Sequence, residues 1–340
     1  MANISIIGGG SWGLAMSLVL HKNSHTVTVW EHNRDSVIHL QKYRKNENYL
    51  PGIVFPDDIN FTNDMQDLFI SPPDFIVFAV PSTFLRQTVR KASQYIQKGN
   101  LKAIVNLAKG LEEDSLKRMS SVITEELPAS VTDLICTLSG PSHAEEVARK
   151  IPTLVVVAGK NQDDLQKVQK AFSNAVFRVY SSDDIIGVEI GAAVKNIIAI
   201  AAGVVDGLGF GDNTKGALLT RGLVEIKRLG LALNAEEKTF SGLSGLGDLV
   251  TTAISPHSRN RHVGYHLGKG EKLGDILNQM VMIAEGVITT KTIRELKEKL
   301  GVSMPITEEM YQLMFQNKDP RDALYSLMTR GLKSEFPAQE

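Results

Sequence analysis

The chain has 340 residues, of which 43 % are hydrophobic, so it is long enough to bury a large core and to form two domains. Its formal net charge of −1 gives no electrostatic reason to bind nucleic acid or an anionic membrane. A single cysteine, Cys136, excludes an internal disulfide framework, and the longest apolar run, residues 197–205, is too short to span a bilayer, so we expect a cytoplasmic protein without membrane or secretory segments.

The first predicted element is a strand at residues 3–7 that runs directly into a glycine-rich turn. Gly8, Gly10 and Gly13 have the spacing Gly-x-Gly-x-x-Gly, and a helical stretch follows at residues 14–20. This strand–turn–helix order is the one that a dinucleotide-binding fingerprint requires. Gly8 permits the tight turn, Gly10 lets the backbone approach a pyrophosphate, and Gly13 lets the helix pack closely on the strand. The N-terminus of the helix then offers free N–H groups to the phosphates.

The second predicted strand, residues 25–30, ends at Glu31. An acidic residue about twenty positions beyond the fingerprint usually accepts hydrogen bonds from the adenosine ribose, which favours NAD over NADP. His32 and Arg34 follow closely, however, and either side chain is able to meet the 2′-phosphate of NADP. A third interpretation makes all three residues solvated charges of a loop. The preference between NAD and NADP therefore stays open.

Strands and helices alternate along the rest of the first half. Apolar runs typical of strands buried on both faces of a parallel sheet occupy residues 75–80, 103–107, 134–138, 153–158 and 176–180, with helical segments at 84–96 and 114–126. From about residue 182 the pattern is only helical, at residues 185–205, 215–230, 235–240, 274–280, 288–300 and 307–315. We therefore predict an α/β fold: an N-terminal doubly wound, Rossmann-type, mainly parallel sheet (residues 1–184) and a C-terminal all-helical domain (residues 185–340).

Three short motifs follow predicted strands, whose carboxyl ends face the ligand crevice in a sheet of this kind. Pro81 follows the strand at 75–80 and is a candidate for the nicotinamide side of a cofactor. Lys109 follows the strand at 103–107 and reaches the crevice, unless it is an ordinary surface lysine. Gly140, Pro141 and Ser142 follow the next strand. The proline and the serine suit the start of a helix, whose backbone N–H groups meet an anion unless it is an ordinary helix start.

Lys195 is the most unusual charged residue of the sequence. It lies in a predicted helix of small and apolar residues, where Asn196 is almost its only polar neighbour. Either the side chain reaches solvent along the helix surface, or it is held in a semi-buried site where its pKa falls and it can exchange protons. We favour the second interpretation.

Two polar loops add further candidates in the helical part. Asp248 ends a glycine-rich loop and is placed to position either a cationic acid/base or a substrate hydroxyl. Ser258, Arg259 and Asn260 combine hydroxyl, guanidinium and amide donors at a predicted helix start, which suits a phosphate dianion; a basic surface turn is the alternative. No histidine or cysteine has the spacing partners of a metal site, so no metal is predicted.

Taken in order, these blocks resemble those of the bacterial NAD(P)-dependent glycerol-3-phosphate dehydrogenases over essentially the whole chain. The matching blocks are residues 8–13, 106–110, 140–144, 194–196, 209–213 and 258–261. One departure is Ala192, where the family usually has glycine three residues before its catalytic lysine. The change adds a single methyl group.

The resemblance implies reversible hydride transfer between NADH or NADPH and dihydroxyacetone phosphate, giving sn-glycerol 3-phosphate for phospholipid synthesis by a cytoplasmic homodimer. It makes Lys195 the general acid/base. The implied substrate positions are Lys109, Gly140, Ser142, Lys195, Asp248, Ser258, Arg259 and Asn260. Besides the three glycines, the implied cofactor positions are Ser11, Trp12, His32, Lys109, Ala144, Arg259, Ile283 and Glu285.

Two other functions compete with this interpretation. A dehydrogenase of the β-hydroxyacid or 6-phosphogluconate type also uses a lysine on a helix, but it acts on a carboxylate substrate. More distant is a non-catalytic NAD(H) sensor, which would have no need of Lys109, Lys195 and Asp248 together.

Overall fold

The computed structural model describes residues 1–332, 334 and 335. Lys333 and residues 336–340, which belong to the predicted helical domain, lie outside the described residues. The strands are Asn3–Ile7 (β1), Thr26–Trp30 (β2), Asn60–Thr62 (β3), Phe75–Phe78 (β4), Ala103–Asn106 (β5), Ile135–Ser139 (β6), Thr153–Gly159 (β7) and Phe177–Ser182 (β8).

The strands form one eight-stranded sheet in the order β3-β2-β1-β4-β5-β6-β7-β8. All neighbouring pairs are parallel except β6 and β7, which are antiparallel. The first six strands have the order of a doubly wound dinucleotide-binding sheet, and the direction of winding reverses between β1 and β4. The predicted mainly parallel sheet is confirmed, with β3 as a strand that the sequence did not indicate.

The helices that accompany the sheet are Ser11–Lys22 (α1), Arg34–Tyr43 (α2), Ser82–Ser93 (α3), Met119–Glu126 (α4), Ala144–Ala148 (α5) and Gln162–Phe172 (α6). The helix predicted at residues 114–126 begins only at Met119. Leu116 stands before it with a φ of +59°, a left-handed conformation that a continuing helix cannot contain. Residues 113–115 instead form a turn, and the Leu116 N–H donates to the Glu112 carbonyl.

Beyond the sheet the described chain is helical, as predicted. The helices are Ile185–Gly207 (α7), Asp212–Ala232 (α8), Asp248–Ile254 (α9), Arg259–Gly268 (α10), Leu273–Asn278 (α11), Glu285–Leu300 (α12), Pro305–Phe315 (α13) and Pro320–Met328 (α14). The segment predicted at 235–240 is a 3-10 turn, Glu237–Ser241, followed by a π-helical turn, Leu243–Gly247.

Helix α7 forms the centre of the helical part, and α8, α9, α10 and α12 all pack against it. It has 23 residues and a mean hydropathy of 1.8 over its most apolar window, so by length and composition it is able to cross a membrane. The apolar run counted in the sequence was shorter because Lys195 interrupts it. In the structure 89 % of that window is buried by other parts of the chain, so the apolar surface of α7 is core surface.

A buried carboxylate holds the start of α7 against the sheet. Glu189 accepts hydrogen bonds from the Ser120 N–H (2.8 Å) and hydroxyl (2.7 Å), from the Arg118 guanidinium (2.6 Å) and from the Thr137 hydroxyl (3.1 Å). These bonds join α7 to the start of α4 and to β6. They fix the position of Lys195, less than two helical turns further along α7, relative to the carboxyl ends of the strands.

Candidate active site

A cleft of about 500 Å³ opens where the carboxyl ends of β1, β2, β4 and β5 face the helical part. This is the crevice beside the reversal of strand order, where doubly wound sheets bind their ligands. Most of the residues predicted to bind cofactor or substrate line it: Gly8, Gly10, Ser11, Trp12, His32, Lys109, Ser142, Ala144, Lys195, Asp248, Ser258, Arg259, Asn260, Ile283 and Glu285.

The glycine turn at one end of the cleft is tightly packed underneath and open above. A Cβ on Gly8, whose φ is +124°, would lie 2.5 Å from the Ala79 carbonyl oxygen, and a Cβ on Gly13 would lie 1.9 Å from the Gly8 carbonyl oxygen. A Cβ on Gly10 would meet nothing within 4 Å. Gly8 and Gly13 are therefore required by packing, whereas Gly10 leaves space on the cleft side.

The start of α1 has the features of a phosphate site. No side chain caps this helix end, and its first turn holds no acidic residue. The Trp12 indole nitrogen is buried in the cleft wall with no hydrogen-bond partner among the described residues. Free N–H donors and a positive helix end beside an open Gly10 fit the pyrophosphate of a dinucleotide.

The end of β2 carries the groups that bear on cofactor preference. Glu31 is 5 % exposed, accepts a hydrogen bond from the Asn33 N–H (3.0 Å) and lies 2.6 Å from Nδ1 of His32. His32 is open to solvent along most of its side chain, 77 % exposed. Arg34 is the first residue of α2 and is not among the residues that line the cleft. Of the two candidate 2′-phosphate partners, only His32 faces the cleft.

The deepest part of the cleft holds two lysines bridged by one carboxylate. The ammonium of Lys195 donates to Oδ1 of Asp248 (2.6 Å) and to the Thr252 hydroxyl (2.6 Å). Lys109 donates to Oδ2 of Asp248 (2.8 Å) and to the carbonyl oxygen of Gly140 (3.1 Å). Gly140 thus contributes its backbone oxygen, although it does not line the cleft itself.

The environment of this cluster changes the acidity of its members. Lys195 is only 5 % exposed, and this burial lowers the pKa of its ammonium to about 7, against the opposing effect of Asp248. Burial alone would raise the pKa of Asp248, but the charges of Lys109 and Lys195 outweigh it and hold that pKa below its usual value. Lys195 is therefore the semi-buried lysine that we expected, and it is able to gain and lose a proton near neutral pH.

The predicted phosphate-binding residues lie at the start of α10. The Ser258 hydroxyl caps the helix by accepting from the Arg261 N–H (3.2 Å), and the Asn260 amide joins Asn196 (2.9 Å) to the Gly286 N–H (2.9 Å). The Arg259 guanidinium is exposed in the cleft and has no ion-pair partner within the described part of the chain. Arg259 is thus the freest donor of the three, and the other two also hold the local backbone.

Glu285, the first residue of α12, reaches across the cleft to the sheet. Its carboxylate accepts from both the backbone N–H (3.0 Å) and the hydroxyl (2.5 Å) of Ser82, the first residue of α3. Burial raises the pKa of Glu285. The contact joins two segments 203 residues apart and closes one side of the cleft.

Comparisons with known proteins identify the family of the chain. The family model of the NAD-dependent glycerol-3-phosphate dehydrogenase N-terminus matches residues 3–165, and that of the C-terminus matches residues 184–325. The chain belongs to the NAD-dependent glycerol-3-phosphate dehydrogenase family. The family that the sequence resembled is therefore confirmed, and with it the Rossmann-type α/β fold and NAD or NADP as the class of cofactor.

Individual relatives cover nearly the whole chain. Glycerol-3-phosphate dehydrogenase (NAD(P)+) of Syntrophotalea carbinolica is 47 % identical over 98 % of this chain and 99 % of its own. The enzyme of the same name from Geobacillus thermodenitrificans is 47 % identical over 99 % of this chain and 97 % of its own. The crystal structure of glycerol-3-phosphate dehydrogenase from Coxiella burnetii superposes with a TM-score of 0.91 at 34 % identity, covering 97 % and 99 % of the two chains.

In this member of the family, sequence reasoning missed several residues of the cleft. Thr252 follows Asp248 by one helical turn on α9, so the spacing i, i+4 was a signal that could have found it. Tyr49 and Phe84 also line the cleft, but neither belongs to a recognisable motif. Tyr49 comes from the loop between α2 and β3, which only the tertiary structure brings to the site.

Proposed function

We propose that the protein catalyses reversible reduction of dihydroxyacetone phosphate to sn-glycerol 3-phosphate with NADH or NADPH. The proposal rests on one continuous cleft. It contains the glycine turn at α1, the Lys195 ammonium that is bonded to Asp248, and the Arg259 guanidinium, which has no ion-pair partner among the described residues. A dehydrogenase for a phosphorylated ketone needs a dinucleotide site, a proton donor and a phosphate site that open into the same cleft.

The residues at the glycine end of the cleft fit the cofactor. The uncapped N-terminus of α1 and the open face of Gly10 suit the pyrophosphate. Ser11, His32, Lys109, Ala144, Arg259, Ile283 and Glu285 are the other residues that we assign to cofactor binding. When bound, NADH or NADPH supplies the hydride for the ketone carbon.

Lys195 moves the proton. Reduction of a ketone builds negative charge on its oxygen, so an ammonium aimed at that oxygen stabilises the transition state and then donates the proton. In the oxidation direction the neutral amine takes the proton back. A pKa of about 7 lets Lys195 serve in both directions near neutral pH. Asp248 and Thr252 hold the Lys195 nitrogen in place, and Lys109 keeps one N–H donor free for the substrate.

The phosphate of the substrate supplies binding energy and does not itself react. Arg259 offers planar paired donors to a phosphate dianion, and Ser258 and Asn260 add donors at the start of α10. The binding energy of this non-reacting group orients the carbonyl toward Lys195. Gly140 and Ser142 complete the substrate set on the sheet side.

The wider assignment is also part of the proposal. The product, sn-glycerol 3-phosphate, would supply the backbone of phospholipids, and we place the enzyme in the cytoplasm as a homodimer without metal. We divide the chain into a cofactor domain (residues 1–184) and a helical substrate domain (residues 185–340). The last strand ends at Ser182 and α7 begins at Ile185, which supports this division.

The deciding experiment measures oxidation of NADH and of NADPH in parallel, each with dihydroxyacetone phosphate. We expect substrate-dependent turnover with at least one cofactor, and the ratio of the two rates gives the cofactor preference. Lys195→Ala should lower turnover about a hundredfold or more while cofactor binding is retained. No turnover with dihydroxyacetone phosphate but turnover with a β-hydroxyacid, or binding of NADH without any turnover, would contradict the proposal.

A further inference from the structure

The side chain of Asn106, the last residue of β5, shapes the start of the loop that carries Lys109. Its amide oxygen accepts from the Ala108 N–H (3.0 Å), and its amide nitrogen donates to the Ala108 carbonyl oxygen (3.2 Å). Asn106 is fully buried, so solvent does not compete for these bonds. Because Ala108 directly precedes Lys109, the orientation of the Asn106 amide sets the direction in which Lys109 enters the cleft.

Thr137, on the neighbouring strand β6, fixes that orientation. The remaining N–H of the Asn106 amide donates to the Thr137 hydroxyl (3.3 Å), and the hydroxyl donates to Oε1 of Glu189 (3.1 Å). A hydroxyl has a single proton, so its bond to the carboxylate leaves only lone pairs for Asn106. The nitrogen end of the amide must therefore face Thr137, and the oxygen end faces the Ala108 N–H.

Glu189 holds the Lys109 loop on its other side as well. Its carboxylate accepts from the Arg118 guanidinium (2.6 Å). Arg118 in turn forms an antiparallel bridge with Leu111, just after Lys109. The loop is thus fastened to a single buried side chain of α7 both before and after Lys109.

The same helix carries the second lysine of the cluster. Lys195 lies less than two helical turns beyond Glu189 on α7. Lys109 and Lys195 bond to the two oxygens of Asp248, at 2.8 Å and 2.6 Å. Helix α7 therefore sets the positions of both ammonium groups, that of Lys195 directly and that of Lys109 through Glu189.

We propose that Thr137 is a positioning residue of the active site, whose hydroxyl holds Lys109 in place by orienting the Asn106 amide. The inference rests on the proposed function, in which Lys109 binds the substrate beside Lys195. Without the hydroxyl, the amide loses the partner that fixes its orientation, and a buried N–H group is left without an acceptor. The loop then relaxes, and Lys109 leaves the Asp248 carboxylate.

Movement of Lys109 changes the acidity of Lys195. The charge of Asp248 raises the pKa of Lys195, and the charge of Lys109 lowers it. Once Lys109 has left, Asp248 acts on Lys195 alone, so the pKa of Lys195 rises above its value of about 7. The other cation near this ammonium, Arg259, keeps its place. His143 is neutral near pH 7, because burial and the charges of both lysines lower its pKa to about 4.

The test replaces Thr137 by valine, which has nearly the same shape but no hydroxyl. Two quantities are measured with dihydroxyacetone phosphate: kcat/KM near neutral pH, and the pH midpoint at which the reduction rate has fallen to half. In Thr137→Val, kcat/KM should fall about tenfold because Lys109 is displaced, and the midpoint should move up by about 1 pH unit. Thr137→Ser keeps a hydroxyl, so its kcat/KM should lie within about threefold of the wild-type value and its midpoint should be that of the wild type.

A double-mutant cycle shows whether Thr137 acts through Lys109. In the Lys109→Met background the group that Thr137 positions is already absent, so Thr137→Val should change kcat/KM by less than about twofold. Thr153→Val is the matched control. Thr153 is a buried threonine of β7 whose hydroxyl donates to the Ile151 carbonyl (3.0 Å) and not to the Asn106 network, so kcat/KM and the midpoint should stay at their wild-type values.

Three results contradict the inference. A folded Thr137→Val enzyme with the wild-type kcat/KM would show that the hydroxyl does not hold Lys109. An equal loss in the presence and in the absence of Lys109 would mean that Thr137 acts on another group. A lower melting temperature with an unmoved pH midpoint would reduce the role of Thr137 to stability. Thr137→Ala replaces the valine variant if that variant does not fold.

The same measurements separate this inference from the proposed function. If the wild-type protein does not reduce dihydroxyacetone phosphate, the proposed function fails, and the role of Thr137 in it fails too. If the wild type is active and any of the three contradicting results is found, only the assignment of Thr137 is wrong.

Discussion

Burial lowers the pKa of Lys195 and the Asp248 carboxylate opposes it, so Asp248→Asn tests the mechanism most directly. Asparagine keeps the size of the side chain and removes its charge. Asp248 lies 2.6 Å from the Lys195 nitrogen and raises the pKa of that group, whereas burial and the charge of Lys109 lower it. Removal of the carboxylate leaves two buried ammonium groups without their shared counter-charge. The pKa of Lys195 should then fall below its wild-type value of about 7.

The size of the shift follows from the contact distance. An opposite charge in direct contact changes the pKa of a partner by about 1–3 units, or about 1.4–4 kcal/mol of interaction free energy. The same carboxylate lies 2.8 Å from Lys109, and loss of that pair adds to the repulsion at Lys195. We therefore expect the pH profile of the variant to move to lower pH by about 1–3 units.

The assay is kcat/KM for dihydroxyacetone phosphate reduction, measured between about pH 4 and 9 so that a midpoint shifted down by about 1–3 units is covered. Reduction requires protonated Lys195, so the wild-type rate should fall as pH rises through about 7, and the variant rate should fall at lower pH. Asp206→Asn is the matched control: Asp206 also bridges two cations, Lys215 and Arg261, but it does not line the cleft. A folded Asp248→Asn enzyme with the wild-type midpoint would refute the assignment of Lys195 and Asp248.

Four other substitutions test separate parts of the structure. Arg259→Ala should raise KM for dihydroxyacetone phosphate about tenfold or more, since charge-assisted bonds to phosphate are lost, and an unchanged KM would move the phosphate site elsewhere. Gly13→Ala should lower the melting temperature, because its Cβ would lie 1.9 Å from the Gly8 carbonyl oxygen, whereas Gly10→Ala should leave the melting temperature unchanged and weaken NADH binding measured by fluorescence titration. Burial raises the pKa of Glu225 from 4.5 to about 7, so the folded state keeps a proton that the unfolded state releases, and the free energy of unfolding should fall by up to about 3 kcal/mol as pH rises from about 4.5 to 7. Urea unfolding at both ends of this range should show that slope in the wild type and lose it in Glu225→Gln.

Local patterns in the sequence were sufficient to predict most of the strands and helices and the glycine turn that forms one wall of the cleft. The strand at Asn3–Ile7, the glycine turn and α1 occupy adjacent residues, so spacing and apolar periodicity alone predicted them. The failures are local as well: the left-handed Leu116 delays the start of a predicted helix to Met119, and no pattern marked the three-residue strand Asn60–Thr62.

The contacts within the lysine cluster could not be predicted from the sequence. A lysine among small and apolar residues identified Lys195 as unusual, but its partner Asp248 is 53 residues away and meets it only because α9 packs on α7. The pKa of about 7 is a property of that burial, since the same lysine on an exposed helix would keep its ordinary value.

The sequence by itself thus determined most of the strands and helices, the glycine turn after β1 and the family, because each of these patterns consists of residues close together in the chain. Only the tertiary structure decided which groups share the cleft, such as the Glu285 carboxylate that bonds to Ser82 and the loop that brings in Tyr49. Contacts across such separations, and the protonation states that burial imposes, depend on how whole elements pack. No local pattern of residues encodes them.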